Sequence, residues 1–321
     1  MASAISSKPE DRASLSTWRT IGATLAGLAI GVGTPMFAYV TVNGNSVLSG
    51  PRMTMIAGFF SILAVICYLL CFRLVRERVE APASQEKLRL GKLLKGLVTD
   101  RPLLGIIAAA IALLLAMLTM GGMAGYVFPN YYGSPKAQSV SSLTGSLAVL
   151  AVCAPFAAKL SAKIGKKELA FWGSLSSAAV YLVCLAVHPA NPFAYVAFFT
   201  LAYIGLGFFN TIIWAMITDV IDDAEVRNGV REDGTIYSVY SFARKLGQAL
   251  SSGLTGALLT IIGYTQATAF DPVVTERIFK LSCIAPMVGF SLVAVFLWFL
   301  YPLNKAKVEA NVKELARRRG R

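Results

Sequence analysis

Acidic residues are scarce: seventeen Asp and Glu stand against thirty Lys and Arg in 321 residues, and histidine occurs once, at His188. An acidic metal site is conceivable, but no histidine accompanies the acids. The five cysteines, Cys67, Cys71, Cys153, Cys184 and Cys283, all fall in apolar runs. An odd number scattered in this way supports neither a disulfide framework nor a metal centre, so they read as small hydrophobes. Residues 1–16 are polar and lack the apolar core of a cleavable signal peptide. No short-period repeat is visible, and 15% charged residues is low for a soluble chain of this length.

Long uncharged runs fill the space that charge leaves. The chain is 56% hydrophobic, with a mean hydropathy of +0.63. Crossing a hydrocarbon core takes about 20 apolar residues as helix. Eight stretches qualify: 20–42, 53–72, 103–129, 137–158, 169–188, 192–218, 235–264 and 279–301. They predict an all-α, polytopic membrane protein. The net charge of +13 follows topology rather than nucleic acid. With an inside N-terminus, twenty-four of the thirty cations fall on the cytoplasmic side, and only Arg52, Lys136, Arg277 and Lys280 fall opposite. This asymmetry puts both termini in the cytoplasm of a multi-pass protein of the cell (inner or plasma) membrane.

The longest polar stretch, 73–101, divides the chain. Residues 1–72 hold two helices, 73–101 form a basic cytoplasmic loop, 102–304 hold six helices, and 305–321 form a basic tail. Leu88, Leu90, Leu93, Leu94 and Leu97 alternate with cations and suggest an amphipathic surface helix, as does the tail. Two six-helix halves are a common transporter plan. If 102–304 is a complete half, 1–72 supplies only the last two helices of the other, and four are missing.

Arg244 and Lys245 break the run 235–264. Lys245 lies about 15 Å along a helix starting near Thr235, close to the midplane. A charge there costs roughly 2.5–3.5 kcal/mol. Neighbouring helix positions diverge by about 100°, so the two cations cannot face one partner. All seventeen acids lie in loops or at span ends. The countercharge for Lys245 must come from a substrate, another polypeptide or absent helices, unless the amine is neutral.

Asp219, Asp222 and Glu225, spaced by three, share a helical flank at the end of the 192–218 span, followed by Arg231. They read either as a solvated helix end or as an ion-pair cluster that holds one conformation closed. Gly31 and Gly33, and Gly205 and Gly207, mark close helix packing or a bend. Arg19 begins the first span beside Trp18, as an interfacial anchor or a ligand for something deeper. Trp214 and Tyr240 offer aromatic faces suited either to packing or to a sugar ring.

The block Asp219-x-x-Asp-x-x-Glu225, Gly229-Val-Arg-Glu232, Tyr237-Ser238 and Phe242-Ala-Arg-Lys-Leu-Gly-Gln-Ala249 resembles the glycoside–pentoside–hexuronide:cation symporter family of the major facilitator superfamily. The melibiose and glucuronide carriers belong to that family. Asp100-Arg-Pro102, Ile164-Gly-Lys-Lys167 and Tyr301-Pro-Leu303 extend the likeness over nearly the whole chain. The resemblance implies a transporter rather than an enzyme. Its partners would be a small sugar or glycoside, the lipid bilayer and a monovalent cation (H⁺, Na⁺ or Li⁺), with no nucleic acid, bound metal or cofactor.

It further implies a sugar site formed by Arg19, Trp214, Tyr240, Ser241 and Lys245. Asp219, Asp222, Glu225 and Arg231 would form a cytoplasmic ion-pair gate. This chain reads Asp222-Asp-Ala-Glu225 where the family has Asp-Tyr-Gly-Glu. It also reads as helices five to twelve of twelve, so the cation ligands are expected outside it and coupled transport is expected to be compromised. The alternative expectation is a non-transporting fragment, or one subunit of a split carrier with a separately encoded N-terminal helix segment.

Overall fold

The computed structural model describes residues 9–42, 44–74, 100–229 and 233–318, with backbone alone for 9–21 and 24. The leucine-rich stretch 88–97 therefore lies outside the described residues. Ten helices and one hairpin follow in chain order among those described. They are α1 (Pro9–Ala38), β1 (Tyr39–Val42), β2 (Asn45–Leu48), α2 (Gly50–Leu74), α3 (Arg101–Tyr126), α4 (Pro135–Ala148), α5 (Ala154–Ile164), α6 (Lys166–Val187), α7 (Pro192–Asn228), α8 (Asp233–Ile261), α9 (Pro272–Phe299) and α10 (Lys305–Arg318). Short π-helical turns, Val127–Tyr131 and Val149–Cys153, extend α3 and join α4 to α5.

Counting α4 and α5 as one rod, eight long helices coincide with the eight expected spans. Six of them are long and apolar enough to cross a membrane on those grounds alone. The other two are α1, with its apolar stretch Leu25–Ala38, and α8, which carries the two cations. One boundary differs from expectation. The first span was read to residue 42, but its helix ends at Ala38, and the chain turns back as an antiparallel hairpin pairing Tyr39 with Leu48 and Val42 with Asn45. Gly44, at φ +80°, supplies the left-handed backbone of that turn. Tyr39 Oη donates to the Gly125 carbonyl at 3.2 Å, which ties the hairpin to the end of α3.

Helix starts follow a repeated local rule. Asn191 and Asp271 each precede a proline, and each side chain accepts the backbone N–H two residues on, at 2.9 and 2.8 Å. Asp100 accepts from Leu103 N at 3.4 Å, with Pro102 in the first turn. The side chain satisfies an orphan donor, and proline removes another. Helix ends use positive φ at Gly165, His188 and Gly229.

In lipid, helices associate through close packing rather than hydrophobic burial, so small residues mark the seams. A Cβ on Gly205 of α7 would overlap the Gly173 carbonyl oxygen and Ser177 Oγ of α6. Ser177 Oγ in turn donates to the Ala202 carbonyl at 2.8 Å. A Cβ on Gly289 of α9 would come within 2.6 Å of Ala116 Cβ on α3. The core is thus α3, α6, α7 and α9, with α8 laid along α3. The seam between α1 and α4 is made by Gly31 against Ser142 and by Ser139 Oγ donating to the Val32 carbonyl at 2.9 Å. No described residue of α2 is buried.

Charge is segregated between the two ends of the bundle. At one end Arg101 Nη2 donates to the Phe299 carbonyl at 2.9 Å, and Lys305 Nζ to the Lys163 carbonyl at 3.0 Å. The other end is aromatic. Tyr131 Oη and His188 Nε2 lie 2.9 Å apart, His188 is 3.4 Å from Glu276, and its ring stacks on Phe279.

Candidate functional site: a cation-bearing polar arc and a basic-end ion-pair network

One flank of α8 is built to pack. Ile236, Tyr240, Ala243, Gly247 and Ser251 are buried, and Gly247 approaches Ile111 and Leu114 of α3 at ordinary contact distance. At about 100° per residue, Tyr237, Ser241, Arg244, Lys245, Gln248 and Ser252 fall together on another arc, roughly 100° wide. All six are exposed or half-buried. This arc brings two cations, an amide, a phenol and two hydroxyls onto one face.

The adjacent cations part as helix geometry requires. Arg244 turns towards α7, with its guanidinium carbon 5.3 Å from the Trp214 ring centroid and 5.9 Å from that of Tyr240. Its Nη1 donates to Tyr240 Oη at 3.4 Å. Trp214 and Tyr240 meet edge to face, with centroids 5.3 Å apart at 80°, and Tyr237 stacks on the other side at 6.4 Å. Tyr240 is fully buried, while Trp214 keeps 47% of its surface exposed. Lys245 is exposed, and its Nζ donates to Gln248 Oε1 at 3.2 Å. Among the described residues no carboxylate pairs with it.

Of the residues expected around the sugar, the structure brings Trp214 and Tyr240 together and places Ser241 and Lys245 on the same arc. The Arg19 side chain lies outside the described residues. Arg244 and Gln248 were not among the expected residues. Their signal was available, since positions 237, 241, 244, 245, 248 and 252 carry the polar face of an otherwise apolar helix.

The acids at the end of α7 are engaged, though not in the expected pairs alone. Asp219, 6% exposed, receives a 2.6 Å bond from Lys166 Nζ at the start of α6. The expected three-residue flank leaves out Asp223, which is 1% exposed and forms a hub. Arg227 Nε donates to Asp223 Oδ2 at 2.8 Å while its Nη2 donates to both oxygens of Asp100, each at 2.9 Å. Asn311 of α10 donates to Asp223 Oδ1 at 2.9 Å. Burial first, then the carboxylates of Asp219, Asp223 and Glu168, push the Tyr301 phenol well above its ordinary range. Asp222 and Glu225 are half-buried and engaged on the same helix end, and Arg231 lies outside the described residues. Two clusters on the end of α7 therefore tie it to its neighbours, Asp219 to α6 and Asp223 with Arg227 to the start of α3 and to α10. Asp223 with Arg227 was readable as an i,i+4 pair, and Asp100 as a helix cap.

Residues 1–305 match the family model described as MFS/sugar transport protein. An uncharacterized symporter, YjmB, of Bacillus subtilis (strain 168) is 30% identical over 320 residues, covering 98% of this chain and 67% of the relative. The glucuronide carrier protein homolog of Escherichia coli (strain K12) is 29% identical, over 99% of this chain and 68% of the relative. The isoprimeverose transporter of Lactiplantibacillus pentosus is 28% identical, over 94% of this chain and 62% of the relative. These relatives are carriers, not enzymes. With its polytopic helical fold and this match over most of its length, the chain belongs to the MFS/sugar transport protein family of multi-pass membrane transporters.

Proposed function

We propose that this protein moves a glycoside or hexuronide together with a monovalent cation, H⁺, Na⁺ or Li⁺, by alternating access across the cell membrane. The observation that carries the reading is the α8 arc: Arg244 over the exposed Trp214 ring, with Lys245, Tyr237, Ser241 and Gln248 on the same face. A sugar presents an apolar ring face to an aromatic and hydroxyls to amides and hydroxyls, and a uronate adds a carboxylate for a cation. The names of the relatives, a glucuronide carrier homolog and an isoprimeverose transporter, agree with that class.

In this reading residues 102–304 form one rocking half and the two helices within 1–72 belong to the other, with Arg19 contributing from α1. Asp219, Asp222, Glu225 and Arg231 form the cytoplasmic ion-pair gate of this reading, while the bonds of Lys166 to Asp219 and of Arg227 to Asp223 and Asp100 lie within one half and brace it as it tilts.

Uptake of labelled glucuronide by cells expressing the full-length protein tests the proposal. Wild-type cells accumulate it only with a cation gradient, and Lys245→Ala lowers uptake about a hundredfold, as expected when one partner of a desolvated charge pair is removed. Uptake of neutral galactosides alone would remove the uronide preference. Accumulation indifferent to every cation gradient would remove symport.

A further inference from the structure

A recess of about 300 Å³ opens at the basic end of the bundle, where the start of α6 meets the end of α9. Lys167, Glu168, Phe171, Trp172, Trp298 and Asn304 line it. Its one cation is held in place: Lys167 Nζ donates to the Trp298 carbonyl at 3.4 Å and sits 5.9 Å from that residue's ring centroid. Arg101 Nη2 donates to the adjacent Phe299 carbonyl. Each of these bonds takes one donor, whereas an ammonium has three N–H groups and a guanidinium five. Glu168 is the one carboxylate of the lining and offsets Lys167, so the net positive charge of about one comes from Arg101, which lies beside the lining, close to Lys167. Lys163 and Lys305 add to the potential at the same end.

Phe171 binds the rings into a cluster, 5.1 Å from Trp172 and 4.9 Å from Trp298. The two tryptophans nevertheless keep 59% and 57% of their surface exposed, in the place where amphipathic rings settle at headgroup level. Below them a single stripe of α9, Val288, Leu292, Val295 and Phe299, faces outward. The recess therefore combines fixed cations, interfacial indoles and an apolar track leading away along a membrane-spanning helix.

We propose that this recess binds an anionic phospholipid of the phosphatidylglycerol type, its phosphodiester at Lys167 and Arg101, its glycerol against Trp172 and Trp298, and an acyl chain along the α9 stripe. A choline headgroup is disfavoured because Lys167 already occupies the cation-attracting face of Trp298. Basic pockets between membrane helices are known to suit anionic headgroups.

The test is lipid binding to the delipidated full-length protein in maltoside micelles, read by native mass spectrometry with dioleoyl phosphatidylglycerol against dioleoyl phosphatidylcholine. Wild type is expected to favour phosphatidylglycerol by about tenfold, given roughly one strong step per basic residue. Lys167→Gln with Arg101→Gln should reduce the ratio to about one, Lys167→Arg should keep it, and Trp172→Ser, which removes no helix-capping bond, should weaken phosphatidylglycerol binding. Lys280→Gln, at the opposite end, should leave it unchanged. Equal binding of the two lipids to wild type would overturn the proposal, and so would an undiminished preference in the double variant. Displacement of phosphatidylglycerol by millimolar inorganic phosphate would overturn the lipid as the occupant.

Discussion

Arg244 and Lys245 are neighbours in sequence and diverge in space. Arg244 lies against Trp214 and Tyr240 in a partly desolvated seam, and Lys245 stands clear of that seam beside Gln248. Cation–π pairs of the first kind contribute about 1–2 kcal/mol, enough to fix the angle between α7 and the middle of α8. Arg244→Ala is therefore expected to weaken sugar binding about tenfold while leaving the protein folded, checked by ligand titration of intrinsic fluorescence alongside thermal unfolding. Lys245→Ala should behave differently, with transport lost and unfolding temperature unchanged, because its side chain packs against little. The two cations can be told apart in this way without any further structure.

At the scale of elements, small residues and buried carboxylates set the packing. Gly205 lets α7 approach α6 until backbone meets backbone. Gly205→Val must drive the helices apart, at a cost of about 3 kcal/mol, visible as a lowered unfolding temperature and reduced yield in membranes. Asp223 shows the electrostatic counterpart. Removing Arg227 leaves a buried charge with Asn311 and the more distant Lys307, 3.9 Å away. Arg227→Ala should cost about 2 kcal/mol, since Arg227 is partly solvent-screened. It should also loosen α10, which joins the bundle through Asn311, Leu315 and Val308. Limited trypsinolysis checks this, with faster cleavage within 305–318 in the variant than in wild type.

Across the whole molecule, the division of charge between the two ends is the dominant pattern. A single cysteine replacing Lys280 and one replacing Lys305, each in a cysteine-free background, should react with an impermeant thiol reagent from opposite sides of the membrane, and labelling from one side only would refute the expected topology. The spans, their number and the basic end were legible in the residues alone, because hydrocarbon thickness and charge cost act on local sequence whatever the helices later touch. The hairpin turning at Gly44 went unread because β1 continues the apolar run of α1, and only its pairing with β2 shows that the helix has ended. The ion pairs at the end of α7 were half legible: spacing by three selected Asp219, Asp222 and Glu225, whereas the carboxylate that bonds both Arg227 and Asn311 is Asp223. Spacing names the residues that share a flank, but which flank turns inward depends on where α3, α6 and α10 end. Sequence by itself determined that this chain crosses a membrane many times and carries two adjacent cations within a mostly uncharged run, since both follow from the local balance of apolar and charged groups. Tertiary structure alone decided which cation meets the aromatic rings and which acids are buried, because those choices rest on the rotation of one helix against another.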